Sequence, residues 1–218
     1  MKTAKIAATG QEFPIGKIVC LARNYAEHAR ELGNETPTAP VLFMKPASSV
    51  IGNGEAVCIP TYSQECHYEV ELAVLIGKTA RAVLPENAME HVVGYGVAID
   101  MTLRDVQNQL KSKGLPWEIA KGFDTACPLS DFVPAGTIAD PHDLRLKLAV
   151  NGGVRQDGCS SDMINRIPQI IAHISAIFTL EEGDVILTGT PAGVGQVVAG
   201  DVMTAEITTI GHLTIPVA

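Results

Sequence analysis

The chain has 218 residues, which suits one ordinary domain and is too short for two independent enzymes. Sixteen basic against twenty-four acidic residues give a net charge of −8, which disfavours nucleic acid and anionic lipid as partners. The sequence contains neither an apolar run of roughly 20 residues that would cross a bilayer nor a signal-peptide block. We therefore expect a globular cytoplasmic protein whose single domain covers residues 1–218, without a nucleic-acid or membrane partner.

The cysteine, glycine and proline content narrows the class of protein. Five cysteines are spread over the chain without a Cys-x-x-Cys pair, which argues against a structural zinc site or a redox dithiol. Twenty glycines and thirteen prolines bound many short apolar segments, as is typical of strands and turns. We expect reduced thiols and a fold with many short strands.

The first half of the chain alternates strands and short helices. Its apolar segments predict strands at residues 17–21, 41–45, 57–59, 67–76 and 92–101, with a short helix at 85–91. A helix over residues 24–33 is indicated by Asn24 as its N-cap and Glu27 at the capping-box position. Thr102 together with Asp105 predicts the start of another capped helix.

The second half is richer in strands. An Asn151-Gly152 pair behind the apolar segment 144–150 predicts a hairpin, because these residues accept the positive φ angles of a type I′ turn. Isoleucines at helical spacing behind Pro168 predict one amphipathic helix, buried on the face that carries Ile167, Ile170, Ile171, Ile174, Ile177 and Phe178. Further strands are predicted at 184–188, 202–208 and 212–217. The fold class is therefore mixed α/β and mainly β, with a few short helices.

Three carboxylates stand at the ends of apolar strands. Glu69 and Glu71 alternate along one strand, share a face and lie ~7 Å apart at Cα. Asp100 follows a second apolar strand, where a carboxylate costs free energy unless it is paired or binds a metal. A solvated strand face is the alternative for a bare Glu-x-Glu.

The donor set indicates which metal these carboxylates would bind. Oxygen ligands without a convincing histidine or cysteine partner favour a hard cation, Mg²⁺ first, with Mn²⁺ or Ca²⁺ as alternatives. His67 lies on the same strand face and is a further candidate ligand, although a supporting or surface position is the alternative.

His28 and Glu31 lie three residues apart on the first helix and so share a face. The carboxylate can fix the tautomer of the imidazole and raise its basicity, as a general base requires. Such pairs also occur on many solvated helices, so a surface position is the alternative.

Four further residues are candidates for substrate contact. Lys121, in an irregular stretch, can face an anionic substrate, and Arg104 with Gln107 can hold a carboxylate near the metal. The glycine-rich turn 188–195 lacks the fingerprints of a phosphate-binding loop, but its backbone amides and Thr190 can touch a ligand. The alternatives are surface charges and a tight structural turn.

Five segments, taken together and in this order, resemble the fumarylacetoacetate hydrolase family in its short, acylpyruvase-like branch. They are Arg-Asn-Tyr-Ala-Glu-His (23–28), Pro-Val-Leu-Phe-Met-Lys-Pro (40–46), His-Tyr-Glu-Val-Glu-Leu-Ala-Val-Leu-Ile-Gly (67–77), Ala-Lys-Gly-Phe-Asp (120–124) and Leu-Thr-Gly-Thr-Pro-Ala-Gly-Val-Gly (187–195). The resemblance covers nearly the whole chain. It implies the family's mixed β-roll fold and a homodimer.

The resemblance also implies site residues. Mg²⁺ or Mn²⁺ would be bound at Glu69, Glu71 and Asp100, beside a His28/Glu31 dyad and a charge-stabilising Lys121. Substrate contacts would be made by Arg104, Gln107 and Thr190. The longer N-terminal domain of some relatives is absent, which argues against fumarylacetoacetate as the substrate.

The predicted function is metal-dependent hydrolysis of a C–C bond in small acylpyruvates, because a 2-oxo acid can chelate a divalent cation that stabilises the enolate. The alternatives are oxaloacetate decarboxylation, oxaloacetate enol/keto tautomerisation, and isomerisation or decarboxylation of unsaturated 2-oxo dicarboxylates. From other classes, a noncatalytic metal-binding protein stays open, and the net charge weighs against a nuclease.

Overall fold

The computed structural model describes residues 2–218, which form many short strands and few helices. The strands are β1 (Thr3–Lys5), β2 (Glu12–Pro14), β3 (Lys17–Ala22), β4 (Val41–Pro46), β5 (Val50–Ile51), β6 (Cys66–Tyr68), β7 (Val70–Ile76), β8 (Val92–Ile99), β9 (Thr102–Leu103), β10 (Cys127–Pro128), β11 (Val133–Pro134), β12 (Arg145–Val150), β13 (Gly153–Cys159), β14 (Val185–Leu187), β15 (Gly195–Val197), β16 (Val202–Ile207) and β17 (Gly211–Pro216). The α-helices are α1 (Ala26–Glu31), α2 (Arg104–Ser112), α3 (Glu118–Lys121) and α4 (Ile167–Ile177), and a 3-10 helix spans Pro85–His91. The predicted fold class, mixed α/β and mainly β, is confirmed.

A six-stranded mixed sheet forms the centre of the molecule. Its strand order is β11, β8, β7, β14, β3 and β4, with β14 parallel to β3 and the other pairs antiparallel. All seven residues of β7 are buried. A strand covered on both faces loses the polar alternation of an exposed strand, which explains the apolar run after Glu71.

Hydrophobic layers cover both faces of this sheet. On one face, the larger layer includes the isoleucine side of α4 and inward residues of the four-stranded sheet β13, β12, β16 and β17. On the other face, the hairpin of β1 and β2 contributes Ala4 and Phe13 to a smaller layer that also contains Phe132. The assignment of residues 1–218 to one domain stays a prediction.

The hairpin and the isoleucine helix form where the sequence places them. Asn151 and Gly152 have φ angles of 51° and 79° between the antiparallel strands β12 and β13. The prediction is wrong for Ile177, the last residue of α4, which is 57% exposed because the helix ends there and points this side chain away from the core.

The first helix is shorter than predicted, because Asn24 does not cap it. The Asn24 amide donates hydrogen bonds to the carbonyl oxygens of Thr188 (2.8 Å) and Asn165 (3.0 Å), so it holds distant segments together. The helix begins at Ala26 after Tyr25, without a side-chain cap, and the predicted capping box at Glu27 is wrong. Long-range hydrogen bonds here displace the local capping pattern.

Three other predictions need correction. Residues 57–59 form no strand: Val57 makes only a single bridge to Val217. The strand predicted at 67–76 is interrupted at Glu69, between β6 and β7. Thr102 lies in β9 instead of capping α2, and Asp105 instead accepts hydrogen bonds from the Ser63 hydroxyl and the Gln64 backbone. None of the helices in residues 2–218 has the length and apolar character needed to span a membrane.

Candidate active site

Glu69, Glu71 and Asp100 converge in the interior of the protein. Each offers a carboxylate oxygen, and these oxygens lie within 4.8 Å of one another. All three residues are at most 4% exposed. The arrangement follows from the pairing of β7 with β8, since the Asp100 backbone N–H donates to the Glu69 carbonyl at 2.8 Å. The two strand ends predicted to carry the carboxylates are thus brought together by sheet register.

Lys121 lies at the centre of this cluster. Its ammonium donates to Asp100 Oδ2 at 2.6 Å, Glu69 Oε2 at 2.9 Å and Thr102 Oγ1 at 2.6 Å. Burial alone would lower the pKa of Lys121, but the charges of Asp100 and Glu69 outweigh it and raise that pKa. The lysine is therefore a charged part of the cluster and not a surface residue.

Lys45 is a buried cation that the sequence analysis assigned no role. Its Nζ lies 2.8 Å from Asp100 Oδ1 and donates to the backbone carbonyls of Ala126 (2.9 Å), Met101 (3.2 Å) and Lys121. The only sequence signal was its position at the end of an apolar strand, where an unpaired lysine would be costly.

Arg104 and Gln107 lie next to the cluster on α2. The guanidinium donates through Nη2 to Glu69 Oε1 and through Nη1 to Gln107 Oε1 at 2.7 Å. Burial raises the pKa of Glu69, yet the charges of Lys121 and Arg104 outweigh burial and hold that pKa well below its usual range. Glu69 is accordingly ionised and engaged on both oxygens.

Glu71 differs from the other two carboxylates in its partners. It accepts a hydrogen bond from the Gly189 backbone N–H at 2.6 Å, but no cationic side chain in residues 2–218 forms an ion pair with it. Burial, followed by the charges of Asp100 and Glu69, raises the pKa of Glu71 well above its usual range. A divalent cation held by oxygens of the three carboxylates would supply the missing charge, so the residues present fit a hard metal ion.

His28 and Glu31 are paired as predicted. The Nδ1 atom of His28 lies 3.4 Å from Glu31 Oε2, and Glu31 also accepts from the Gly193 backbone N–H at 3.0 Å. His28 is buried and lines the cleft above the carboxylates, while its Nε2 has no hydrogen-bond partner in residues 2–218. This orientation leaves one imidazole nitrogen free for a proton transfer.

The turn at 188–195 is fixed to β7, the strand that carries Glu71, by two side chains. Thr188 Oγ1 donates to the Leu72 carbonyl at 2.9 Å. The fully buried Gln156 donates from Nε2 to Thr190 Oγ1 at 2.7 Å and accepts at Oε1 from the Val70 N–H at 2.9 Å. Gln156 therefore ties Thr190 to the backbone between Glu69 and Glu71. Sequence analysis missed it, since a glutamine in a polar strand carries no distinguishing signal.

A cleft opens onto this cluster. Seven of the predicted residues line it, and these are His28, Glu69, Glu71, Arg104, Gln107, Lys121 and Thr190. Asp100 lies beneath them and Glu31 behind His28, so the structure brings all nine predicted residues into one neighbourhood. The cavity volume of about 30 Å³ leaves room for roughly two water molecules. The catalytic and ligand-binding roles of the nine residues stay predictions.

The fold is that of the fumarylacetoacetate hydrolase family, to which the chain belongs. The family profile described as "Fumarylacetoacetate (FAA) hydrolase C-terminal" matches residues 17–218. Among solved structures, the fumarylpyruvate hydrolase from Pseudomonas aeruginosa in complex with Mn²⁺ and pyruvate is 36% identical. It superposes with a TM-score of 0.95 over 100% of this chain and 95% of that chain. The predicted family and fold type are confirmed.

Two curated relatives are more similar to this chain in sequence than the fumarylpyruvate hydrolase is. Oxaloacetate tautomerase FAHD1, mitochondrial, from Bos taurus is 53% identical over 190 residues, which are 87% of this chain and 86% of the relative. Oxaloacetate tautomerase YcgM from Escherichia coli is 48% identical over 202 residues, 92% of this chain and 91% of the relative. These names correspond to one of the alternatives weighed above, not to the acylpyruvate hydrolysis placed first.

Proposed function

We propose that this protein is a divalent-metal-dependent enzyme that interconverts the enol and keto forms of oxaloacetate. The observation that carries the proposal is the buried cluster of Glu69, Glu71 and Asp100, which faces a cleft together with His28. Relatives about half identical in sequence carry the name oxaloacetate tautomerase, which supports this reaction over the hydrolysis that the sequence analysis preferred.

Glu69, Glu71 and Asp100 would hold the cation. Carboxylate oxygens suit Mg²⁺, with Mn²⁺ or Ca²⁺ as alternatives, and the similar fumarylpyruvate hydrolase is described with Mn²⁺. When bound, such a cation supplies positive charge that stabilises negative charge on the oxygens of a 2-oxo acid.

The residues of the chain have three tasks in this reaction. Conversion of enol to keto adds one proton at carbon 3 and releases the proton of the enol hydroxyl to water. His28, oriented by Glu31, transfers the proton at carbon 3, because its Nε2 is free and it lines the cleft. Thr190 contacts the substrate, and Lys121 donates hydrogen bonds to Glu69 and Asp100 and so offsets their charge. The reaction needs no attacking water and no covalent bond to the protein.

Acylpyruvate hydrolysis is the second candidate function, favoured by the His28–Glu31 contact of 3.4 Å. The same dyad would deprotonate a water molecule that attacks the carbonyl carbon. The name and ligands of the fumarylpyruvate hydrolase support this candidate. Oxaloacetate decarboxylation shares the same binding groups but releases carbon dioxide and leaves pyruvate.

A substrate panel with the Mg²⁺-loaded protein separates these reactions. The decay of the ultraviolet absorbance of enol-oxaloacetate reports tautomerisation, and a coupled lactate dehydrogenase assay reports pyruvate. We expect fast enol decay without matching pyruvate formation, and slower turnover of acetylpyruvate. Pyruvate formation that keeps pace with enol decay would instead assign decarboxylation, and preferred turnover of acetylpyruvate would assign hydrolysis. The homodimer implied by the family stays a prediction, which sedimentation tests.

A further inference from the structure

Two cationic side chains line the cleft without an acidic partner. Lys45, Lys121 and Arg104 form ion pairs with two carboxylates of the cluster, Asp100 and Glu69. Arg23 and Lys111 line the same cleft, and neither forms an ion pair with a carboxylate within residues 2–218. The cleft therefore carries cationic charge that the described protein does not neutralise.

The position of these two residues is on the solvent side of the cluster. Arg23 and Lys111 are partly exposed, whereas Arg104 and Lys121 are buried. Burial, followed by the charges of Arg104, Arg23 and Lys121, lowers the pKa of Lys111 to about 8. These like charges repel one another, and a bound anion would relieve the repulsion.

The surroundings position the Lys111 side chain and constrain the backbone at Arg23. Lys111 Nζ lies 5.4 Å from the centre of the Trp117 ring, a cation–π contact that fixes the ammonium at the cleft. Arg23 has a φ of +59°, a left-handed conformation that is costly for a residue with a β-carbon. Strained backbone of this kind concentrates at ligand-binding sites. The two cations are therefore built into the wall of the cleft.

Arg104 does not already serve the same purpose. Its guanidinium donates to Glu69 and Gln107, so two of its nitrogens are already engaged within the protein. A 2-oxo acid whose first carboxylate approaches the buried cluster has its far end on the solvent side, where Arg23 and Lys111 lie.

We propose that Arg23 and Lys111 form a second carboxylate-binding site, which selects 2-oxo acids that carry a further carboxylate at the far end. This inference rests on the proposed function, because it concerns the substrate class of the same cleft. It assigns oxaloacetate and other short 2-oxo dicarboxylates as preferred over monocarboxylates of equal length.

Binding of two stable acids to the Mg²⁺-loaded protein tests the proposal. Malate and 2-hydroxybutyrate have the same chain length and differ in the far carboxylate, which is a methyl group in the second acid. Calorimetry on the wild type should give tighter binding of malate. Lys111→Met should weaken malate binding by about tenfold to a hundredfold, as expected for a hydrogen-bonded charge, with less than a twofold change for 2-hydroxybutyrate.

Matched variants separate charge from structure. Arg23→Asn removes the second charge with a residue that tolerates positive φ, and should act in the same direction. Lys111→Arg should retain most of the malate preference, and Lys113→Met, an exposed lysine just beyond the same helix, should change neither affinity. Equal binding of the two acids to the wild type, or an equal loss for both in Lys111→Met, would overturn the proposal. A malate preference without oxaloacetate tautomerisation would keep this site and remove only the proposed function.

Discussion

The ammonium of Lys45 lies beneath Asp100, 2.8 Å from Oδ1, and both residues are almost completely buried. The same ammonium is surrounded by three backbone carbonyls, from Met101, Lys121 and Ala126. Lys45 thus connects a candidate metal ligand with the segment that carries Lys121. Its charge offsets that of Asp100 in a region that water does not reach.

Lys45→Met should destabilise the protein by about 3–5 kcal/mol, because it leaves a buried carboxylate and several carbonyls without their partner. Denaturant unfolding in EDTA measures this loss. Lys78→Met, at an exposed lysine, serves as the control and should change the free energy of unfolding by less than about 0.5 kcal/mol. Equal stability of Lys45→Met and wild type would show that the ion pair contributes nothing net.

His28→Ala should lower the rate of oxaloacetate tautomerisation by about a hundred- to ten-thousand-fold, because a positioned acid or base contributes that much. Glu31→Gln should cause a smaller loss, since an amide still contacts the imidazole but lacks the charge. Steady-state kinetics measure both effects, and His212→Ala, at an exposed histidine, is the control. A His28→Ala rate within a few-fold of wild type would assign the proton transfer to another group.

Gln156→Met should raise KM for the substrate, because Thr190 loses the side chain that connects it to Val70 in β7. Burying the unpaired Val70 N–H should also cost about 1–3 kcal/mol of stability. Kinetics and unfolding on the same sample separate the two effects, with the exposed Gln169→Met as control. A loss of stability with unchanged KM and kcat would make Gln156 purely structural.

The segment 35–40 should close over bound ligand, because it follows directly after Asn34, which lines the cleft. Helix α1 is held by the burial of His28 and Ala29, whereas residues 35–40 are mostly exposed and lack regular structure. Amide hydrogens of 35–40 should exchange faster than those of α1 and slow down when Mg²⁺ and oxalate are added. Exchange that oxalate leaves unchanged in this segment would contradict closure.

The sequence predicted the carboxylates of the site because they interrupt apolar strands. Glu69, Glu71 and Asp100 stand out where a polar group is costly, and strand pairing then brings them together. The prediction of Asn24 as a helix cap was wrong because its hydrogen-bond partners lie more than 140 positions away. Capping patterns take account only of residues that are close in sequence. The roles of Gln156 and Lys45 were not predicted for the same reason, since their partners lie more than 30 positions away along the chain.

The contacts of Arg104 show which neighbours a sequence pattern predicts and which it does not. Helical spacing correctly placed Gln107 beside Arg104, because both lie on one face of α2. The contact with Glu69 depends on the tertiary fold, which brings α2 next to a residue 35 positions earlier in the chain. Neighbours within one element follow from its period, whereas partners in another element depend on the tertiary fold.

The most direct test of the account is a metal titration of the EDTA-treated protein, followed in parallel by calorimetry and by the decay of enol-oxaloacetate. We expect one Mg²⁺ bound per chain, with tautomerisation rising in proportion to occupancy. Glu71→Gln should abolish both signals, because the substitution removes the one carboxylate of the cluster without a cationic partner. The protein should stay folded, because the new amide oxygen still accepts a hydrogen bond from the Gly189 N–H. Full tautomerisation in EDTA, or in Glu71→Gln without bound metal, would contradict the account.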